Sequence, residues 1–287
     1  MDNVILAEKS GFCFGVKRAV EGALKVQKEK NKKIYTLGPL IHNKDVTNKL
    51  QEENIYPILF KDINMLQKGD TVIIRSHGVS KVVMEELMAK DLDIVDNTCP
   101  YVKYIHNKVE KYYNEGYTIV IVGDESHPEV VGINGWCNNN AIILKEGYVK
   151  DKLPNKLCIV AQTTEKKEHL NRALLAIAET AKEFIVFNTI CNATTERQDN
   201  ARKLSQESEA MIVIGDVNSS NTNKLFEISK ENCSNTYLVE NLEDLIKQKD
   251  LLDFEGLKVG VTAGASTPDW VINKVISELK GDNHNGK

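Results

Sequence analysis

Three cysteines stand at one spacing from three glycines, and this repetition constrains the fold of the 287-residue chain more than any other feature. Cys13 precedes Gly38 by 25 residues, Cys99 precedes Gly123 by 24, and Cys191 precedes Gly215 by 24. Each cysteine opens a helical stretch: "GFCFGVKRAV", "DNTCPYVKYI" and "NTICNATTER". Each glycine ends a short apolar run that leads into a polar loop: "KKIYTLGPLIHNKD", "YTIVIVGDESHPEV" and "AMIVIGDVNSSNTN". A second apolar run with its own polar loop follows in each copy, in "TVIIRSHGVS", "LCIVAQTTEK" and "KVGVTAGAST". The runs are short, rich in β-branched residues and bounded by glycine or polar residues, which predicts buried strands.

A helix is expected after each second loop. The last one has Val271, Val275 and Leu279 recurring every four residues. Thr267 reads as its cap, Pro268 as its first residue and Asp269 as the acid of its first turn. The first helix shows the same logic at Val16, Ala19, Val20, Ala23 and Leu24. The helix after Cys191 has only Ala201 and Leu204 clearly apolar, so its assignment rests on its place in the repeat.

Alternating strands and helices imply parallel sheets and the α/β class. The expected organisation is three α/β units, 1–97, 98–190 and 191–287, related by an approximate threefold. Ligands of open parallel sheets lie beyond the carboxyl ends of the strands. Both polar loops of each unit leave strands at that end, so six loops and three cysteines are expected to face one central cavity.

Composition narrows the function. Apolar residues at 41% and charged residues at 27% are ordinary for a globular protein. A net charge of −4 provides no footprint for nucleic acid or an anionic membrane. No basic segment followed by a long apolar one opens the chain, and no stretch approaches the roughly 18 apolar residues of a membrane span. A cytoplasmic protein is expected. In that reducing compartment Cys13, Cys99, Cys137, Cys158, Cys191 and Cys233 are not expected to form structural disulfides. None forms a CxxC pair, which weakens a zinc-knuckle reading.

Cys13, Cys99 and Cys191 therefore suggest a three-thiolate site. An iron–sulfur cluster suits widely spaced single cysteines at helix starts, where the dipole favours thiolate; zinc is the alternative. Cys137, Cys158 and Cys233 have no matched position and read as core or surface thiols. The loops offer His42, His77, His127, Glu129, Thr163, Ser219, Ser220, Asn221 and Ser266. Many hydrogen-bond donors with little fixed cationic charge suit phosphate oxygens, and an adjacent phosphate raises the pKa of a histidine. His106, His169 and His284 match no repeat position and read as surface residues.

The pieces "GFCFGVKRA", "IHN", "SHGV", "TCP", "SHPEV", "QTT", "CNATTERQ", "NSSNT" and "TAGAS", running from residue 11 to 266, resemble a known family. It is that of the iron–sulfur reductases acting on 4-hydroxy-3-methylbut-2-enyl diphosphate in the non-mevalonate isoprenoid pathway. The resemblance implies a cloverleaf of three α/β units around one [4Fe–4S] cluster per chain, held by Cys13, Cys99 and Cys191 with one iron open. It implies that His42, His77, His127, Ser219, Ser220, Asn221 and Ser266 hold the diphosphate. Thr163 would lie near the substrate hydroxyl, with Glu129 feeding its proton network and His127 beside them. The implied reaction removes the hydroxyl as water, with two electrons and two protons, and yields isopentenyl and dimethylallyl diphosphate. The implied electron donor is a ferredoxin or flavodoxin, and a monomer or weak dimer is expected. Two other classes stay open on the residues alone: a non-catalytic iron–sulfur sensor or electron carrier, and a zinc-dependent hydrolase of a phosphorylated substrate.

Overall fold

The structure is a computed structural model that describes residues 3–248, 254 and 256–281. The chain runs through β1 (Val4–Leu6), α1 (Phe14–Lys30), β2 (Ile34–Leu37), α2 (Lys44–Glu52), β3 (Ile55–Ile58), β4 (Thr71–Ile74), α3 (Lys81–Ala89) and β5 (Asp93–Asp96). It continues through α4 (Pro100–Asn114), β6 (Thr118–Val122), α5 (Pro128–Asn134), β7 (Ile142–Leu144), β8 (Lys156–Ala161), α6 (Lys167–Ala178) and β9 (Glu183–Val186). The last part holds α7 (Asn192–Glu207), β10 (Ala210–Ile214), α8 (Ser220–Asn232), β11 (Thr236–Val239), α9 (Leu242–Gln248), β12 (Val259–Ala263) and α10 (Asp269–Lys280).

The fold is α/β, as expected. Among the described residues the strands form three parallel four-stranded sheets, ordered β3-β2-β4-β5, β7-β6-β8-β9 and β1-β12-β10-β11. The central pairs β2/β4, β6/β8 and β10/β12 are the two apolar runs of each sequence repeat. Every residue of β4, β10 and β12 is buried, as covering both faces of a parallel sheet requires. Each such Val or Ile contributes roughly 1.5–3 kcal/mol by burial.

The fourth strand of each sheet lies just before a cysteine. β5 precedes Cys99, β9 precedes Cys191, and β1, which precedes Cys13, pairs with β12 in register Val4↔Val259 to Leu6↔Val261. The N-terminal strand, within 1–97 by sequence, thus supplies to the last sheet what β5 and β9 supply to the others. The chain divides into two compact units. One comprises Met1–Phe14, His42–Val46 and Asn192–Lys287; the other comprises Gly15–Ile41 and Thr47–Cys191. The first contains the β1-β12-β10-β11 sheet and the second the other two.

Three local expectations change. Thr267 does not cap α10: its hydroxyl is buried and donates to the Ile214 carbonyl, Pro268 takes the cap position, and the helix starts at Asp269. Val271, Val275 and Leu279 are buried on it as predicted. His106 and His169 are buried, not superficial. His106 shares the inner face of α4 with Val102, Ile105 and Val109, and His169 that of α6 with Leu170, Ala173 and Ile177. Helical periodicity places both on an apolar stripe. His284 lies outside the described residues. The "HPE" and "NSSNT" segments are also more than loops: they start α5 and α8.

Candidate active site

The site residues sit at two recurring places in each sheet. The first is the fourth residue after the glycine that ends the leading central strand: His42, His127 and Ser219. His127 and Ser219 are the N-caps of α5 and α8. Their loops are built alike. Asp124 Oδ1 accepts the N–H of Ser126 and its carbonyl that of His127, while Asp216 does the same for Asn218 and Ser219. In the first sheet, Asn43 Oδ1 accepts the N–H of Val46 at the start of α2, directly after His42.

The second place is the loop after the other central strand. There a single hydrogen bond recurs three times. The backbone N–H of Cys99 donates to the Ser76 carbonyl at 3.0 Å, that of Cys191 to Thr163 at 3.0 Å, and that of Cys13 to Ala265 at 3.2 Å. Each cysteine is thereby tied to the polar loop of its own sheet, at the carboxyl end, and immediately precedes a helix. Cys99 occupies the N-cap position of α4, with Pro100 at its first residue.

The six thiols separate by environment. Cys13, Cys99 and Cys191 are half-buried, whereas Cys137, Cys158 and Cys233 are buried, and none of the six is in a disulfide. Burial pushes the Cys137 thiol up to about 11 and the Cys158 thiol up to about 12, which keeps both protonated and poor as ligands. The first three are soft donors reachable from solvent at helix N-termini, and that donor set fits an iron–sulfur cluster.

In the two-sheet unit, Glu129 lies in the first turn of α5, 2% exposed. Thr163 holds both its carboxylate oxygens: the amide N–H donates to Oε1 and the hydroxyl to Oε2, each at 2.6 Å. Burial raises the Glu129 pKa, and the Thr163 hydrogen bonds offset part of that rise. His127 Nδ1 accepts the N–H of Glu129 at 3.2 Å, which leaves the proton of a neutral ring on Nε2. The His77 ring stands edge-on to His127, centroids 5.4 Å apart. Behind His77, Gly78 at φ +70° packs on buried His106, where a Cβ would meet Cε1 at 2.6 Å. His106 stacks on Trp136 at 5.1 Å, and Trp136 Nε1 donates to the Val79 carbonyl.

In the one-sheet unit, Asn221 Oδ1 accepts the N–H of Ala265 at 3.0 Å, which fixes the amide orientation. Among the described residues its Nδ2 and the hydroxyl of Ser266, both buried, have no hydrogen-bond partner. An anion at the Ser219–Ser220 helix start would satisfy such donors. This unit contains Cys13, His42, Ser219, Ser220, Asn221 and Ser266, and the other contains His77, Cys99, His127, Glu129, Thr163 and Cys191.

Some participants escaped the sequence reading. Arg197, in "TTERQ", is buried and donates to the carbonyls of Ala193 and Gly11, bracing the turn before Cys13. Gln162 accepts the N–H of Asp124. Arg75, two residues before His77, is half-buried with its Nε unpartnered. A cation inside a predicted strand end was the available signal for the last.

Residues 4–280 match the family model described as "LytB protein". The chain is 55% identical over 279 residues to a protein of Clostridium perfringens (strain SM101 / Type A) named 4-hydroxy-3-methylbut-2-enyl diphosphate reductase, covering 97% of this chain and 98% of that one. It is 47% identical to a protein of the same name from Caldanaerobacter subterraneus subsp. tengcongensis, covering 98% and 99%. One similar solved structure is that of (E)-4-hydroxy-3-methyl-but-2-enyl diphosphate reductase, the terminal enzyme of the non-mevalonate pathway, at 43% identity and TM-score 0.68 over 97% of this chain and 99% of that one. Another is the E-1-hydroxy-2-methyl-but-2-enyl-4-diphosphate reductase of Plasmodium falciparum, at 29% identity and TM-score 0.86 over 96% and 87%. Among the described residues no helix is long and apolar enough to cross a membrane.

Proposed function

This chain belongs to the LytB protein family, and from that premise we propose that it reduces 4-hydroxy-3-methylbut-2-enyl diphosphate to isopentenyl and dimethylallyl diphosphate. The observation that carries the reading is the buried Glu129–Thr163 pair on the loop that also accepts the Cys191 N–H. It is a proton source next to a cysteine that would help hold a redox group.

Cys13, Cys99 and Cys191 would hold a [4Fe–4S] cluster, one per chain. When bound, such a cluster supplies two electrons in succession and a Lewis-acidic iron for carbon–oxygen cleavage. Ser219, Ser220, Asn221, Ser266 and His42 are the residues of one unit proposed for the diphosphate, with His77 and His127 from the other. Overall, the carbon–oxygen bond breaks, two electrons and two protons enter, and the oxygen leaves as water. Glu129 is kept neutral to higher pH by its burial. Once it is protonated the 2.6 Å contact reverses, Oε2–H donating to Thr163 Oγ1, and Glu129 passes that proton on as the freed Thr163 hydroxyl passes its own to the leaving oxygen. The bond from Thr163 N–H keeps the carboxyl aimed during the transfer. The His127 Nδ1 contact turns its Nε2–H away from the helix start, where it can donate to a phosphate oxygen.

A ferredoxin or flavodoxin is the proposed electron donor, to a cytoplasmic monomer or weak dimer. The three sheets, each with its cysteine, are the proposed leaves of the cloverleaf. Anaerobically purified protein, given reduced methyl viologen and the allylic diphosphate, should oxidise the dye and release both products. A brown, cluster-loaded protein that leaves the substrate untouched would refute the enzyme reading and favour a sensor or carrier.

A further inference from the structure

Arg75 follows the last residue of β4. The register Thr36↔Ile73, continued by two residues, sets it beside Gly38 on the same face of the sheet. Its guanidinium lies across that glycine: a Cβ at residue 38, whose φ is +74°, would come within 2.9 Å of Nη1 and 3.2 Å of Cζ. The second sheet has Gln162 beside Gly123 at the same register position, next after Val122↔Ala161. Gln162 uses its amide inside the protein, Oε1 accepting from the Asp124 N–H at 3.1 Å and Nε2 donating to Thr164 Oγ1 at 2.9 Å.

Arg75 behaves differently. Its Nε is buried with no hydrogen-bond partner, and no carboxylate offsets its charge among the described residues. Burial alone lowers its pKa, to about 10, so it remains cationic at neutral pH. Burying the Nε–H of a guanidinium without an acceptor is unfavourable, and a methionine of similar size would fill the space over Gly38 without that cost. The guanidinium gains only when an anion accepts its fork of N–H groups, a geometry that matches phosphate oxygens. The position also suits this, since ligands of parallel sheets lie at the carboxyl ends and His77 follows on the same loop.

We propose that Arg75 binds an oxyanion of the phosphate class at the carboxyl end of β4, giving this loop a cationic donor that histidine protonation does not control. The proposal rests on the diphosphate reading for the identity of the anion, and on the unpartnered, buried Nε of a cation set over Gly38 for the existence of the contact.

Inorganic pyrophosphate is the probe, titrated calorimetrically into the anaerobically purified, cluster-loaded protein at pH 8.5, about two units above the ordinary histidine pKa. Arg75→Met should bind it about 10- to 100-fold more weakly than the parent, the range for losing hydrogen bonds to a charged group. Without pyrophosphate, Arg75→Met should melt at or above the parent temperature, because a half-buried charge with an unpartnered Nε is gone; loss of a purely structural arginine would lower the melting temperature. Arg75→Gln, the residue that the second sheet accommodates at the same position, is the second variant and should lose affinity likewise. Parent-like pyrophosphate affinity in either folded variant would overturn the proposal. Reductase turnover by the parent, measured separately, tests the enzyme reading. Its absence alongside an Arg75-dependent pyrophosphate site would sink that reading and leave this one standing.

Discussion

Thr163 grips Glu129 at both carboxylate oxygens, through its amide N–H and its hydroxyl, each at 2.6 Å. One residue thus orients the acid and offers the only side-chain oxygen hydrogen-bonded to it among the described residues. The same residue accepts the N–H of Cys191. The proposed proton donor, its proposed relay and a proposed cluster ligand are thereby linked through the Thr163 loop.

Glu129→Gln should separate binding from chemistry. Its amide oxygen can still accept the Thr163 N–H and its NH₂ can donate to Thr163 Oγ1, so the local structure survives. The proton is lost, and turnover should fall by about 10²–10⁴-fold while pyrophosphate affinity stays near the parent's. Calorimetry together with turnover under an artificial reductant measures both. A near-parent rate would mean that the proton comes from elsewhere.

Thr163→Val keeps the backbone bond to Glu129 Oε1 but leaves Oε2 buried and unpaired. Stability to urea should drop by about 1–3 kcal/mol, and turnover should fall with it. Thr163→Ser restores the hydroxyl and should recover most of the rate. If valine and serine variants turn over alike, the hydroxyl is no relay.

Ser266 should show opposite effects on stability and binding. Its buried hydroxyl has no hydrogen-bond partner among the described residues, so Ser266→Ala removes a polar group that no described protein group satisfies. Thermal stability should hold or rise, while pyrophosphate binding weakens by about tenfold or more, as for loss of a hydrogen bond to an anion. Unchanged pyrophosphate affinity would remove Ser266 from the anion site.

His106 should make the protein acid-sensitive. Burial against Trp136 lowers its pKa from 6.5 to about 4. The unfolded chain therefore binds the proton more tightly than the folded one between these values. Stability rises with pH across that window and is lost as pH falls from 6.5 towards 4, by roughly 3 kcal/mol from this residue. Glu129, whose pKa is raised by burial, acts in the opposite sense: its ionisation lowers stability as pH rises above the ordinary carboxylate range. Urea titrations of parent and His106→Gln at pH 4.5 and 7 isolate the histidine term. Equal pH dependence in the two proteins would contradict it.

The cysteines should divide three and three. Serine at Cys13, Cys99 or Cys191 should strip or cripple the cluster, because each thiol is half-buried at a helix start and tied to a sheet-end loop. Serine at Cys137, Cys158 or Cys233 replaces a buried thiol and should leave iron content intact. Iron and sulfide analysis of the six anaerobically purified variants decides this. A full cluster in the Cys99→Ser protein would be incompatible with the three-cysteine assignment.

Much of this molecule is legible in its sequence. Period-2 and period-3.6 patterns and strand-ending glycines mark the central strands and their helices, because those signals depend on neighbours a few residues apart. The motif residues announce their chemistry for the same reason: a thiol, an imidazole or a carboxyl keeps its identity in any fold. The periodicity of α4 even places His106 on the buried face, for a reader who follows the stripe through a polar residue.

Other features depend on residues far apart in the chain, and only the tertiary structure decides them. Val4–Leu6 looks like the start of the first unit but pairs with Val259–Val261, since a parallel strand needs an open edge and not a near neighbour. The same holds for Glu129 and Thr163, thirty-four residues apart, whose contact makes a solvated-looking loop into a buried, hydrogen-bonded carboxyl. It holds most clearly for Arg75. A strand pattern shows where its backbone goes, but whether a carboxylate waits beside the guanidinium is set by packing across strands. In this fold Gly38 gives it room, and among the described residues no acid meets it.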